Sequence, residues 1–328
     1  MPDTSAEIGP HGEPGPRPAT GVDIGGSKVL AVRLSHDGEV EAHCKLPTPP
    51  EADDIVQAVL AAASKVSGSA PGGPLGVGCP GMVDLRGKAH YSPNLHGVDG
   101  VNLRAELLRH RRAGATTVVC NDATAACWAE RTLGSARGAD YVVMVTLGTG
   151  IGGGLVMGGR LVEGVNGFAG EVGHVVVDPH GPPCPCGKRG CWERFASGGG
   201  LGRLAREAAL GGRVPRCVEL AGGGPEAVRG EHLTAAALEG DRESIEIMDE
   251  FAWWVALGLA NLANVLDPAV IVLGGGLIEA ERVIMGPVRR AFEDLVEGPR
   301  ARSVEIVPAY FGERAGAVGA ALLAAEAD

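Results

Sequence analysis

No stretch of this 328-residue sequence stays apolar for the ~20 residues that a membrane-spanning helix needs. The most apolar run, Val255 to Leu273, is broken by Asn261, Asn264, Asp267 and Pro268, so no such span is expected and no membrane partner with it. A basic run is missing too, and the formal net charge is -11. Nucleic-acid binders carry a basic face, so no nucleic-acid partner is expected. An acidic chain that binds a polyanion must hold it locally, with backbone amides, a metal and a few cations. The opening residues, MPDTSAEIGPHGEPGPRPAT, contain no apolar core and do not read as a secretory signal. Their Pro and Gly content predicts a disordered tail over residues 1–19.

What is present fits a folded α/β protein. Apolar residues make up 45% and charged residues 21%, ordinary values for a globular chain. At roughly 100–200 residues per domain, the length suggests two domains. Five of the eight cysteines (Cys44, Cys79, Cys120, Cys127 and Cys217) are scattered in apolar contexts. That usage, without a signal peptide, fits a reducing cytoplasm better than a disulfide framework.

The run TGVDIGGSKVLAVRL reads as strand, glycine turn and strand, and Asp37-Gly38 marks a hairpin to a third. A helix over DDIVQAVLAAASKVS, a strand in LGVGCPGMVD and a helix over VNLRAELLRHRRAG closed by Gly114 follow. TTVVCND is then a strand feeding the helix ATAACWAERTLG. The opening theme recurs in YVVMVTLGTGIGGGLVMGGRLV, with Gly158-Gly159 as a hairpin turn. Residues 164–200 are dense in Gly, Pro, Cys and His and read as a long functional loop. Beyond them come helices, a long one from Glu243 to Leu266, the buried strand AVIVLGGGL, the strand SVEIVPA and a final small-residue helix. The repeated theme predicts two related α/β domains: a smaller one over 20–122, completed by helix 313–328, and a larger one over 123–312.

Three glycine turns are candidates for holding phosphate or a flat ring. Asp23, Gly25, Gly26, Ser27 and Lys28 form the first; glycines let backbone N–H groups approach a phosphate, and Ser27 and Lys28 add a hydroxyl and a cation. It is not a P-loop, because the GxxxxGK(S/T) spacing is absent. Gly148, Thr149 and Gly150 form the second, at the equivalent place in the second unit. Gly274, Gly275 and Gly276 form the third, after a buried strand, where α/β sheets collect ligands. Each could also be only a tight turn. Asp122, after Asn121 at a strand end, is either a helix N-cap or a carboxylate at a cleft mouth that accepts a hydroxyl proton, or both.

His174, Cys184, Cys186 and Cys191 supply three thiolates and one imidazole, a complete tetrahedral set for one structural zinc ion. His180 is the rival for the fourth position, and Lys188 and Arg189 would offset the thiolate charge. Glu171 and Glu193 flank this module as candidate acceptors for hydroxyl groups.

Together these motifs resemble the ROK family of sugar kinases and transcription regulators, from about Gly21 to the C-terminus. GEVGHVVVDPHGPPCPCGKRGCWE is similar to the family's ExGH motif followed by its CxCGxxGCxE zinc motif. GVDIGGSK is similar to its first phosphate motif, with Ser27 where Thr is usual; LGTGIGGG resembles the second, and VLGGGL the adenosine-binding turn. The resemblance implies a two-domain actin-like, hexokinase-like (ribonuclease H-like) fold with a sugar in the interdomain cleft. It implies Asp122 as catalytic base, and Gly81, Asn94, Asn121, Glu171, His174 and Glu193 around the sugar. It also implies ATP with Mg2+, and a homodimer or homotetramer. The His96-Gly97-Val98 stretch after SPNL departs from the family's usual Pro-Gly-Trp-like continuation, which bears on sugar specificity.

The expected reaction is ATP-dependent phosphorylation of a hexose 6-hydroxyl, glucose first. Alternatives of the same family are kinases for N-acetylmannosamine or N-acetylglucosamine, and a sugar-responsive transcription regulator. A regulator would carry a helix-turn-helix domain before the first glycine motif, and about twenty residues precede Gly21 here. Polyphosphate is the rival donor, and no basic groove for it is seen.

Overall fold

The computed structural model describes residues 17–67, 72–93 and 95–327. In chain order the first half runs β1 (Ala19–Ile24), β2 (Lys28–Leu34), β3 (Val40–Pro47), α1 (Ala52–Ser67), β4 (Leu75–Cys79), β5 (Met82–Val83), β6 (Ala89–Tyr91), α2 (Leu103–Arg109) and β7 (Thr117–Asn121). Five of these strands form one sheet in the order β3-β2-β1-β4-β7, and β5 and β6 form a separate ribbon. β1 and β2 are antiparallel, as are β2 and β3, whereas β1, β4 and β7 run parallel.

Helix α3 (Asp122–Thr132) leads into the second half. This half comprises β8 (Val142–Leu147), β9 (Ile151–Met157), β10 (Arg160–Leu161), α4 (Glu193–Ala196), α5 (Gly198–Leu210), α6 (Pro215–Ala221), α7 (Gly230–Leu238), α8 (Arg242–Leu266), β11 (Val270–Gly274), α9 (Glu281–Leu295) and β12 (Glu305–Pro308). Its sheet has the order β10-β9-β8-β11-β12, again with an antiparallel glycine hairpin on one side and parallel strands on the other. The repeat read from the sequence is thus a repeat of topology.

Sequence pattern explains the placement. β4 is buried at every position, as a central parallel strand covered on both faces must be. β3 alternates half-buried and exposed positions, as an edge strand does. α1 turns Ile55, Val56, Val59, Ala62, Ala63 and Val66 inward at helical spacing. Helix α10 (Ala315–Glu326) is buried on almost every side, which its small apolar residues allow. It lies with α3 between the two sheets. One core cluster there unites Leu30 and Val32 of β2 with Ala126 of α3, Met144 of β8 and Val318 of α10.

Two local expectations change. α2 ends at Arg109, with His110 capping it, so Gly114 (φ 80°) belongs to the following loop and does not close the helix. The N-cap of α3 is Asn121, whose side-chain oxygen accepts the Thr124 N–H; Asp122 is the first helical residue. At the tail's predicted edge, Ala19 already opens β1, and the Arg17 guanidinium donates to the carbonyls of Ala325 and Ala327. Residues 1–16 lie outside the described residues.

Candidate active site

Strands β1, β4 and β7 end side by side, with Asp23 opposite Gly78 and Cys79 opposite Asn121. Gly78 leaves room between two carboxylates. A Cβ there would stand 3.4 Å from Asp23 Oδ1 and 3.7 Å from Asp122 Cβ. Crowding and burial act on both acids. Burial and then the Asp122 charge push the Asp23 carboxyl up to about 8, against the opposing pull of Lys28. Burial also raises Asp122, opposed by hydrogen bonds such as that from Ala123 N–H at 2.9 Å. Asp23 Oδ1 is buried and has no hydrogen-bond partner, as an atom awaiting a ligand or water would be.

Asp122 lines a cleft of about 440 Å³ between the two halves. Gly81, Asn121, Glu171, His174 and Glu193 line it as well, as do Gly148, Thr149, Gly150 and Gly275. Asn121 is already committed on two sides, since its amide also donates to Gly81 O at 3.1 Å. A second cavity of about 920 Å³ adjoins the first, sharing Gly148 and Thr149. Gly276, the first residues of α5 (Gly198 and Gly199), and apolar Leu201, Leu238 and Leu277 line it. Gly198 N–H donates to Gly148 O at 2.7 Å, which joins the glycine hairpin to the start of α5.

The remaining candidates stand elsewhere. Gly25, Gly26, Ser27 and Lys28 form the β1–β2 turn and line neither cavity, and Lys28 pairs with Glu313, which also pairs with Lys45. Asp23 sits behind Asp122 and lines neither cavity. Gly274 faces Met144 and Ala309 inside the sheet. Asn94 lies outside the described residues. Met82, Tyr91, Pro93 and Thr146 line the cleft as well, although no glycine turn, acid pair or metal motif marks them in the sequence. Lys188 lines the sugar-sized cleft, beyond its expected task of offsetting thiolate charge.

His174, Cys184, Cys186 and Cys191 converge, with all ligand atoms within 4.8 Å of one another. His180 is not part of this group. Cys186 Sγ and Cys191 Sγ are 3.6 Å apart, and Cys184 Sγ lies 3.8 Å from His174 Nδ1. A tetrahedron of sulfurs about 2.3 Å from one zinc ion has edges of about 3.8 Å, so these residues fit that metal. Burial, then the neighbouring Cys186 and Cys184 sulfurs, push the Cys191 thiol up to about 12. A cation at the centre would reverse that penalty. His174 Nδ1 faces the thiols, leaving Nε2 on the Glu171 side, 3.9 Å from its Oε2. The loop is anchored by Trp192, which is buried against a glycine notch of α8; a Cβ at Gly258 would lie 1.9 Å from its ring.

Two matching sheets, a cleft between them and a carboxylate at a strand end on its floor define the actin-like fold class of sugar kinases. Within that class the chain belongs to the ROK family, which it matches over residues 19–327. A glucokinase of Streptomyces coelicolor is 37% identical over 94% of this chain and 98% of its own length. A glucokinase of Thermotoga maritima is 35% identical over 93% of this chain and 96% of its own. A crystal structure of a ROK family glucokinase from Streptomyces griseus, in complex with glucose and AMPPNP, superposes with a TM-score of 0.84. It is 36% identical and covers 95% of this chain and 100% of that one.

Proposed function

We propose that this protein transfers the γ-phosphoryl group of ATP to the 6-hydroxyl of a hexose, with glucose as the preferred substrate. One observation carries the reading. A half-buried carboxylate, Asp122, lies in a cleft of about 440 Å³ rich in hydrogen-bonding groups, and this cleft opens at Gly148 and Thr149 into a larger cavity of about 920 Å³. The glucokinases above, and the solved one with glucose and AMPPNP, support the choice of both substrates.

In this reading the sugar lies among Gly81, Asn121, Glu171, His174 and Glu193. Asp122 accepts the proton of the attacking hydroxyl, and its raised pKa makes it a stronger base than an ordinary carboxylate. The triphosphate runs along Gly148–Gly150 towards the start of α5, where the positive end of the helix dipole favours phosphate. The adenine rests against Leu201, Leu238 and Leu277 beside Gly276, with Gly275 on the side of the smaller cleft. The β1–β2 turn (Gly25, Gly26, Ser27, Lys28) and Asp23 act from the opposite side, which requires the two halves to close. Bound Mg2+ would neutralise phosphate charge, with Asp23 and Asp122 as the nearby acids. One structural Zn2+ held by His174, Cys184, Cys186 and Cys191 would fix the loop that carries Glu171 and Glu193.

The two lobes are residues 20–122 with the final helix, and 123–312. No helix among the described residues is long and apolar enough to cross a membrane. The protein acts in the cytoplasm as a homodimer or homotetramer. A coupled assay with glucose and MgATP tests the reading. Absence of turnover on glucose, mannose and both N-acetylated hexosamines by the zinc-loaded protein would refute it.

A further inference from the structure

The chain crosses between the two sheets twice. It leaves β7 through α3 and residues 133–141, and it returns from β12 through residues 309–314 into α10. One side chain holds both crossings. Glu130, near the C-terminal end of α3, is fully buried. Its Oε2 accepts the backbone N–H of Ser135 at 2.9 Å and that of Tyr310 at 3.0 Å, and its Oε1 accepts the Phe311 N–H at 2.9 Å. Ser135 belongs to the first crossing, Tyr310 and Phe311 to the second. Ser135 Oγ also ties the first crossing to the end of β12, where the second crossing starts, by donating to Pro308 O at 2.6 Å. The backbone wraps tightly around the carboxylate, since a Cβ at Gly134 would lie 2.1 Å from its Oε2.

Such charge-assisted bonds are stronger than neutral ones and satisfy a carboxylate that burial would otherwise penalise. The same helix begins with Asp122, about 12 Å away at 1.5 Å of rise per residue. Helix α3 is therefore a short rod with the reacting carboxylate at one end and the clamp on both crossings at the other.

We propose that Glu130 is the positioning residue of the hinge between the lobes: its carboxylate sets the angle at which the Asp122 end of α3 meets the glycine hairpin Leu147–Gly152. This rests on the kinase reading above and deepens it. Lobe closure must bring the sugar hydroxyl, the base and the phosphoryl group into line, and both crossings that flex in closure end on this one carboxylate.

The test is Glu130→Gln in the full chain. The substitution keeps the volume, but its NH2 group cannot accept, so at least one buried N–H loses its partner. The variant is expected to keep its far-UV circular dichroism and to lose less in glucose affinity than in kcat, because the groups that hold the sugar remain and only their alignment with the phosphoryl group shifts. Its kcat is expected to fall about 10-fold to 100-fold, the size of loss that a misplacement of about 1 Å produces. In small-angle scattering, wild type should contract on adding glucose, and the variant should be more extended without ligand and contract less. Ser135→Ala removes only the tie to Pro308 and should show the same split of kcat from glucose binding, at smaller amplitude. Wild-type kcat and scattering in Glu130→Gln overturn the proposal. So does a kcat loss fully matched by a loss of folded protein. If Glu130→Gln does not fold, unchanged kcat and scattering in Ser135→Ala overturn it. The ligand-free scattering needs no turnover, so failure of the kinase reading and failure of the hinge are read separately.

Discussion

Glu193 Oε2 accepts the backbone N–H of Ile151 at 3.1 Å, so a carboxylate of the cysteine-rich loop holds the glycine hairpin between the two cavities. A Cβ at Gly150 would lie 2.3 Å from the same oxygen, so the hairpin is shaped to receive it. On the proposed reading, Glu193 would thereby join sugar recognition to nucleotide recognition. Glu193→Ala is expected to raise KM for both glucose and ATP, the latter by about tenfold for one lost charge-assisted bond of ~1.5 kcal/mol. Glu193→Gln keeps an oxygen for Ile151 and should recover the KM for ATP more fully than the KM for glucose. Steady-state kinetics with each substrate varied in turn checks this, and an unchanged KM for ATP in Glu193→Ala would break the link.

Asp122→Ala should lower kcat by about 10²–10⁴, the usual contribution of a general base, while glucose binding measured by calorimetry largely survives. Asp122 opens α3 but does not cap it, since Asn121 does. The substitution therefore spares the cap, and thermal stability should change little. Near-normal turnover would remove Asp122 from the mechanism.

The zinc assignment is checked by elemental analysis, with about one zinc per chain expected for a single closed four-ligand site. Cys184→Ser, Cys186→Ser and Cys191→Ser should each lose the metal. Structural zinc can contribute on the order of 10 kcal/mol of apparent binding energy in small modules, so the loop from Glu171 to Glu193 should lose its order. Activity should go with it, although no thiol need touch the sugar. Full activity in a zinc-free preparation would contradict the assignment.

Asp23 carries a pH dependence of definite sign. Burial, and then Asp122, raise its carboxyl to about 8, so the folded protein binds this proton more tightly than the unfolded chain does. Stability from this group is present in full below the ordinary carboxylate range and is lost as pH rises from there to about 8. Asp23→Asn removes that loss. Its melting temperature relative to wild type should rise between pH 5 and pH 8 in metal-free, ligand-free protein. A pH-independent difference would show that Asp23 does not titrate there.

Much of this architecture was legible because it is local in the chain. Each βGlyβ unit lies within about twenty residues, and its strand-turn-strand pattern is written in consecutive residues. The ligand set His174, Cys184, Cys186 and Cys191 is likewise compact, and thiolate chemistry makes it conspicuous. The clamp at Glu130 was not legible. It bonds Tyr310 and Phe311 about 180 residues away, through backbone N–H groups that any residue supplies. The pairing of Lys28 with Glu313 was hidden for a related reason: it depends on where the second crossing lands. Tyr91 and Met82 reach the cleft only because the β5–β6 ribbon folds over it. Periodicity reports which face of an element is apolar, not which distant element it meets.

Sugar preference follows from how the acceptors are held. With zinc held at His174 Nδ1, Nε2 would carry the hydrogen and be free to donate on the Glu171 side of the cleft. Glu171 and Glu193 are acceptors, and burial, only partly offset by His174, raises the Glu171 carboxyl, with Asp122 and Glu193 adding to it. A site with fixed donors and acceptors penalises an epimer, because a misplaced hydroxyl strands buried partners at about 1–3 kcal/mol each. One such mismatch is about a factor of ten, so glucose should exceed galactose by at least about tenfold in kcat/KM. The 2-acetamido sugars pose a separate question, since they add bulk and leave the other hydroxyls in place. Tyr91, Met82 and Pro93 line the cleft of about 440 Å³, and contacts at the sugar's 2-position rather than total volume decide between them and glucose. On the proposed preference, glucose should outrun N-acetylglucosamine and N-acetylmannosamine when kcat/KM is measured for all of them, with mannose, in one series. If either N-acetylated sugar wins, the phosphotransfer assignment stands and the preference for glucose falls.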